Sequence, residues 1–219
     1  MVISFGFLPF SIYGDGEVAF ITYRTGTYQV INNAEFFSDT PGHWAENNIT
    51  FTSARELFRG LDENIFAPNA SMTRAMFVQV LANIYGADLS LYRNTRFDDV
   101  SVDAWYAPAI YWASGLGLVG GVGDGRFDPA SNITREQMAS MLVNYVNHRG
   151  YDLPLNTAPL FSDQSDISPW AVDSVRTLQQ SGIISGRPGN LFEPQGTATR
   201  AEVATVFTQF ITARVNYIQ

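Results

Sequence analysis

Residues 124–142 read DGRFDPASNITREQMASML, and the second half of this stretch opens an amphipathic helix. After Thr134-Arg135, the residues Met138, Met141, Leu142, Tyr145 and Val146 fall at i, i+3, i+4, i+7 and i+8. That spacing draws a single apolar stripe down one helix face. The Thr134 hydroxyl is placed to accept a first-turn amide, and Gln137 three residues later completes a capping box. Leading into the first half, glycines from Gly120 to Gly125 permit a tight turn with positive φ. Phe127-Asp128-Pro129 then follows as a short extended bridge with the phenylalanine pinned into a core.

The same grammar occurs twice more, without a gap. With Trp44, Trp105 and Trp170 as anchors, a glycine stands sixteen residues on (Gly60, Gly121, Gly186) and a phenylalanine twenty-two on (Phe66, Phe127, Phe192). A proline follows at twenty-four (Pro68, Pro129, Pro194), and Thr-Arg at twenty-nine and thirty: Thr73-Arg74, Thr134-Arg135, Thr199-Arg200. A Phe-x-Asp precedes each tryptophan, ending in Asp39, Asp99 and Asp163. The helical stripe is repeated by Phe77, Val80, Leu81, Ile84 and Tyr85, and by Val203, Val206, Phe207, Phe210 and Ile211. Thr199 with Glu202 makes a second capping box, whereas Thr73 meets Met76 and makes none.

A further helix is expected close to each tryptophan. Ser168-Pro169 reads as N-cap and first helical residue, with Asp103 in the matching place of copy two and Gly117 as a stop. Each copy is thus helix, glycine turn, extended bridge and capped helix. A unit this small buries too little surface to stand alone, so the three copies should share a core. The expected divisions are 1–36 as the tail of an upstream β-rich domain or a linker, then repeats at 37–92, 93–156 and 157–219.

Composition narrows the function. The formal charge is −8 and all 13 basic residues are arginine, which argues against nucleic acid, whose phosphates demand a basic face. Cysteine is absent, so disulfides, thiolate metal sites and thiol nucleophiles are not expected. No apolar run approaches the roughly 18 residues a membrane span needs. The two histidines, His43 and His148, stand in non-equivalent places, so no repeated triad or metal cluster is expected. Asp98-Asp99 could be drawn as a glycosidase couple, but sequence adjacency says nothing of their separation across a substrate. The glycine loop at Gly120 lacks the Gly-Lys-Ser/Thr of a phosphate loop. Neither an enzyme nor a cofactor is expected.

These residues resemble the S-layer homology family. Its pattern is carried most fully by Phe97-Asp98-Asp99-Val100, Trp105, Asp124-Gly125-Arg126-Phe127-Asp128-Pro129 and Ile133-Thr134-Arg135, with Gly182-Ile183 to Gly186 and Thr199-Arg200-Ala201-Glu202 in copy three. The resemblance implies a mainly helical, pseudo-threefold, three-pronged bundle. It implies a module outside the cell, in the wall or surface layer of a bacterium, that binds secondary cell-wall polysaccharide with acidic, pyruvate-ketal sugars and carries an upstream cargo domain. The polymer is expected in grooves between repeats, with Arg74, Arg135 and Arg200 as ligands to the acidic sugar. A guanidinium matches a carboxylate fork to fork, and the capped helix start beside it adds a positive dipole end.

Blander roles stand beside these. Trp44, Trp105 and Trp170 read first as core, with an edge left for sugar. Asp39, Asp99 and Asp163 read first as acceptors of backbone amides, and Gly121 and Gly186 as turns that touch sugar only secondarily. For the arginines the alternative is a salt bridge to a neighbouring repeat, which would make the array a structural or oligomerisation module. Copy one departs most from the pattern: Glu56 stands for the first turn glycine, Leu61-Asp62-Glu63-Asn64 for the Asp-Gly turn, and Met76 for the acid. A groove built on that turn is expected to be weak, leaving two working sites. Ahead of the repeats, Val18–Tyr23 and Tyr28–Ile31 read as strands about Arg24–Thr27, a hairpin that should pack on the helices or lie loose.

Overall fold

Each capped helix starts where the stripe predicts. Thr73, Thr134 and Thr199 accept from the amides of Met76, Gln137 and Glu202, and the two capping boxes form. The structure, a computed structural model, describes residues 8–22, 25–93 and 97–218. Its helices are α1 (Glu46–Ser53), α2 (Arg74–Tyr85), α3 (Ala107–Gly115), α4 (Arg135–His148), α5 (Val172–Gln180) and α6 (Arg200–Ile218). The stripes are buried throughout except Tyr85, which is half-buried.

The three repeats close on one another. Just before each capping threonine, the Ile133 amide donates to Met72 O (2.8 Å), Met72 to Ala198 O (2.9 Å) and Ala198 to Ile133 O (3.1 Å). This hydrogen-bonded ring has no free end and marks the pseudo-threefold axis. Around it, α2 packs on α3, α4 on α5, and α1 returns to α6. Each prong therefore pairs the capped helix of one repeat with the first helix of the next. The helices bury Phe77, Phe207, Tyr145 and Phe210 between them.

Two local expectations are corrected. The first helices begin later than Ser168-Pro169 and Asp103 suggest: α5 starts at Val172 and α3 at Ala107. Ser168 does not cap because its amide and hydroxyl both go to Glu136 (3.0 Å each), leaving Ser168–Ala171 as a turn. The hairpin also shifts. Strand β2 (Glu17–Phe20) pairs with β1 (Ser11–Gly14), about Asp15-Gly16 at φ 52° and 81°, as a two-residue turn requires. Tyr28–Ile31 forms no strand, and Tyr23, the end of the first expected strand, and Arg24 of the expected turn lie outside the described residues. The hairpin packs on the helices: Phe10 is buried edge-on against Tyr151 and Phe210, and Arg55 donates to Ser11 O.

Candidate functional site: the grooves between repeats

Every motif arginine starts in one repeat and reaches into the next. Arg74 donates to Phe127 O (3.0 Å) and Gly120 O (3.2 Å), Arg135 to Phe192 O (2.6 Å) and Ser185 O (3.1 Å). Arg200 closes the cycle on Phe66 O and Arg59 O, both at 2.7 Å. Each guanidinium also lies over the accepting phenylalanine ring, at 4.6, 5.0 and 4.4 Å. The residues are only 3, 5 and 4% exposed. Desolvation lowers all three pKa values, that of Arg200 to about 10, which still leaves it cationic at neutral pH.

This geometry corrects the expected fork. Nε and one N–H of Nη2 of each arginine go to backbone carbonyls, so the Nε–Nη2 edge is taken and Nη1 is the nitrogen these carbonyls leave for the groove. Among the described residues, the salt-bridge alternative is met at Arg135, whose Nη1 lies 3.5 Å from Glu202. The helix starts are likewise not open to an anion. The amides of Arg74 and Ala75 go to Ser131 O and Pro129 O, and the equivalent pairs in the other repeats are bonded the same way.

Around each arginine the Phe-x-Asp carboxylate has a structural task. Asp39 accepts the amides of Phe66 and Ala67, Asp99 those of Phe127 and Asp128, and Asp163 those of Phe192 and Glu193, all at 2.7–2.9 Å. The second residue of each pair has positive φ: 58°, 61° and 53°. A non-glycine residue there costs of order 1–3 kcal/mol, and two charge-assisted bonds offset it. Gly121 and Gly186 sit too close to the bridge for a side chain; a Cβ on Gly121 would meet Arg126 O at 2.5 Å. Asp39, Asp99 and Asp163 thus follow the blander reading, and the two glycines are demanded by backbone approach.

The tryptophans do not follow theirs. Trp44, Trp105 and Trp170 are 63, 61 and 57% exposed, whereas Trp112, which lies outside the motif, is buried. Each stands just ahead of a first helix, and Trp44 and Trp105 each line a groove. One groove, of about 400 Å³, gathers Trp44 of repeat one, Arg135 of repeat two, and Gly186, Arg187 and Glu202 of repeat three. A larger one, of about 1120 Å³, gathers Trp105 of repeat two, Arg200 of repeat three, and Gly60 and Met76 of repeat one. The larger cavity runs on to Phe10 and Tyr85 beneath the hairpin. All three repeats therefore contribute to each groove. By the repeat register, Trp170, Gly121 and Gln137 are the residues that correspond to this set around Arg74.

Arg187 escaped the sequence reading. It donates to both oxygens of Glu202 (2.8–3.1 Å) and pairs closely with Glu193. Glu136, which holds Ser168, was missed as well. Neither stands at a position shared by the other copies, so a search for what repeats passes over them.

A family profile described as the S-layer homology domain matches residues 36–76, 96–139 and 160–204. An amylopullulanase of Thermoanaerobacterium thermosulfurigenes is 31% identical over 87% of this chain and 10% of its own length. An S-layer protein of Bacillus thuringiensis subsp. finitimus is 30% identical over 77% of this chain and 20% of its own length. A cellulosome-anchoring protein of Acetivibrio thermocellus is 31% identical over 66% of this chain and 33% of its own length. The chain thus spans between a tenth and a third of these relatives.

Proposed function

This chain belongs to the S-layer homology family, and from that premise we propose that it is a non-catalytic module holding a larger protein to the bacterial wall through secondary wall polysaccharide. Its place is the cell surface, as the surface-layer and cellulosome-anchoring relatives indicate. That similar segments make up a tenth of an amylopullulanase and a fifth of an S-layer protein, two differently named proteins, fits a transferable anchor.

The observation that carries the reading is that an exposed tryptophan and a motif arginine line the same groove in each of the two cases. An indole face stacks on the C–H face of a pyranose ring, and tryptophan is enriched at interfaces where one side is apolar and the other wet. The remaining Nη1 donor supplies one charge-assisted hydrogen bond to an acidic substituent such as a pyruvate ketal. Screening beyond roughly 10 Å at 0.1 M salt lets this local cation act despite the net charge of −8.

Sedimentation with purified sacculi, with and without their secondary polymer, tests this. The chain is expected to pellet with intact sacculi and to stay in solution once the polymer is stripped. A Trp44→Ala, Trp105→Ala double variant should fold normally and lose at least tenfold in retention. Removing the arginines is a poorer probe, since it orphans buried carbonyls. Retention of the tryptophan variant at the wild-type level would refute groove binding.

A further inference from the structure

The three grooves share a plan but differ in charge, at positions where copy one departs from the others. The residue between the bridge phenylalanine and proline is Ala67, Asp128 or Glu193; the third helical residue is Met76, Gln137 or Glu202. Around Arg135, Glu202 is already in place: one of its oxygens lies 3.5 Å from Nη1, and Arg187 binds that carboxylate and Glu193 together. The protein's own carboxylate occupies the position a ligand carboxylate would need. Arg74 feels Asp128 and Asp99. Beside Arg200 the corresponding positions hold Ala67 and Met76, neither of which carries a charge, and Asp39 is the acid that acts on it.

A second observation is independent of these positions. In a chain of charge −8, the cavity beside Arg200 is lined by Arg55, Arg59, Arg149 and Arg200 against one carboxylate, Glu56, among the described residues. Arg55 is fixed on Ser11 O and Phe51 O, so this cationic wall is held by the hairpin and α1. The groove of Arg135 carries Arg187 and Glu202 as a closed pair instead.

We propose that the acidic sugar of the wall polymer is taken preferentially in the Arg200–Trp105 groove, with Ala67 and Met76 as the residues that select it, while the Arg135–Trp44 groove, its two arginines neutralised by Glu202 and Glu193, takes an uncharged sugar. This rests on the reading that the grooves bind wall glycan, and it deepens that reading by assigning ligand charge to each. It runs opposite to the expectation that copy one makes the weakest groove. The loss of family residues there leaves no competing carboxylate at those two positions beside the arginine.

Calorimetric titration of the whole chain with a methyl hexoside bearing a pyruvate ketal, and with its pyruvate-free counterpart, tests the assignment. Met76→Glu completes a capping box, so it should fold at least as well as the parent while binding the ketal at least tenfold more weakly. Glu202→Gln should leave the tight class of sites unchanged and strengthen ketal binding at a second class. The assignment is overturned if Met76→Glu binds the ketal like the parent, or if Trp44→Ala removes the tight class and Trp105→Ala does not. Silence toward both glycosides, together with no retention on intact sacculi, would instead sink the functional reading itself.

Discussion

At Ala67, Asp128 and Glu193 the backbone takes a positive φ that none of these residues favours, and in each repeat an aspartate holds two amides to keep it there. The conformation aims the preceding carbonyls of Phe66, Phe127 and Phe192 at the arginine of the neighbouring repeat. The motif aspartate and the motif arginine are thus two ends of one device. Asp39→Ala should cost about 1–3 kcal/mol, from two lost charge-assisted bonds at a strained site. Adding Ala67→Gly should return about 1 kcal/mol of that, because glycine adopts positive φ freely; urea unfolding of the single and double variants checks the coupling. The carboxylates also set an acid limit. Desolvation pushes Asp99 and Asp163 up, but the backbone amides they accept, helped by Arg126 and Arg135 respectively, hold both below the usual carboxylate value. Their stabilisation is complete above about pH 4, the unfolded value, and is lost as pH falls through the depressed folded values. Asp99→Asn should flatten the fall in melting temperature below pH 4, measured by circular dichroism.

At the level of elements, what was legible in the sequence is what repeats. The stripes, the threonine caps and the glycine approaches could all be placed because three copies report the same constraint. The starts of α3 and α5 could not, since a Ser-Pro that looks like a cap is diverted by Glu136, a residue far away in sequence. The hairpin was misplaced although Asp15-Gly16 carries a strong two-residue turn signal; the weight fell on the later Thr-Gly-Thr instead. The tryptophans were read as core on their size, and only the three-dimensional arrangement shows them outside it. Capping differs among the copies, and that difference is measurable. Met76→Glu should raise stability by about 0.5–1 kcal/mol, through the reciprocal cap and a negative charge in the first turn of α2. Chemical denaturation would read it as a higher midpoint at unchanged slope.

For the whole molecule, closure matters more than any one repeat. The ring through Met72, Ile133 and Ala198 and the return of α1 onto α6 leave no repeat with a complete core of its own. Deleting residues 157–219 should therefore abolish the single cooperative thermal transition expected of the intact chain, with calorimetry showing a broad, weak transition in its place. Closure also builds the grooves, since each one draws its tryptophan, arginine and turn from three different repeats. The most direct check of that arrangement uses the indoles themselves. Trp44, Trp105 and Trp170 are exposed and Trp112 is buried, so emission should shift to the blue and acrylamide quenching should fall as purified wall polysaccharide is added. The change should shrink stepwise as the exposed tryptophans are replaced by phenylalanine one at a time. Unchanged emission and quenching, under conditions where the chain is retained by intact walls, would contradict sugar binding in these grooves.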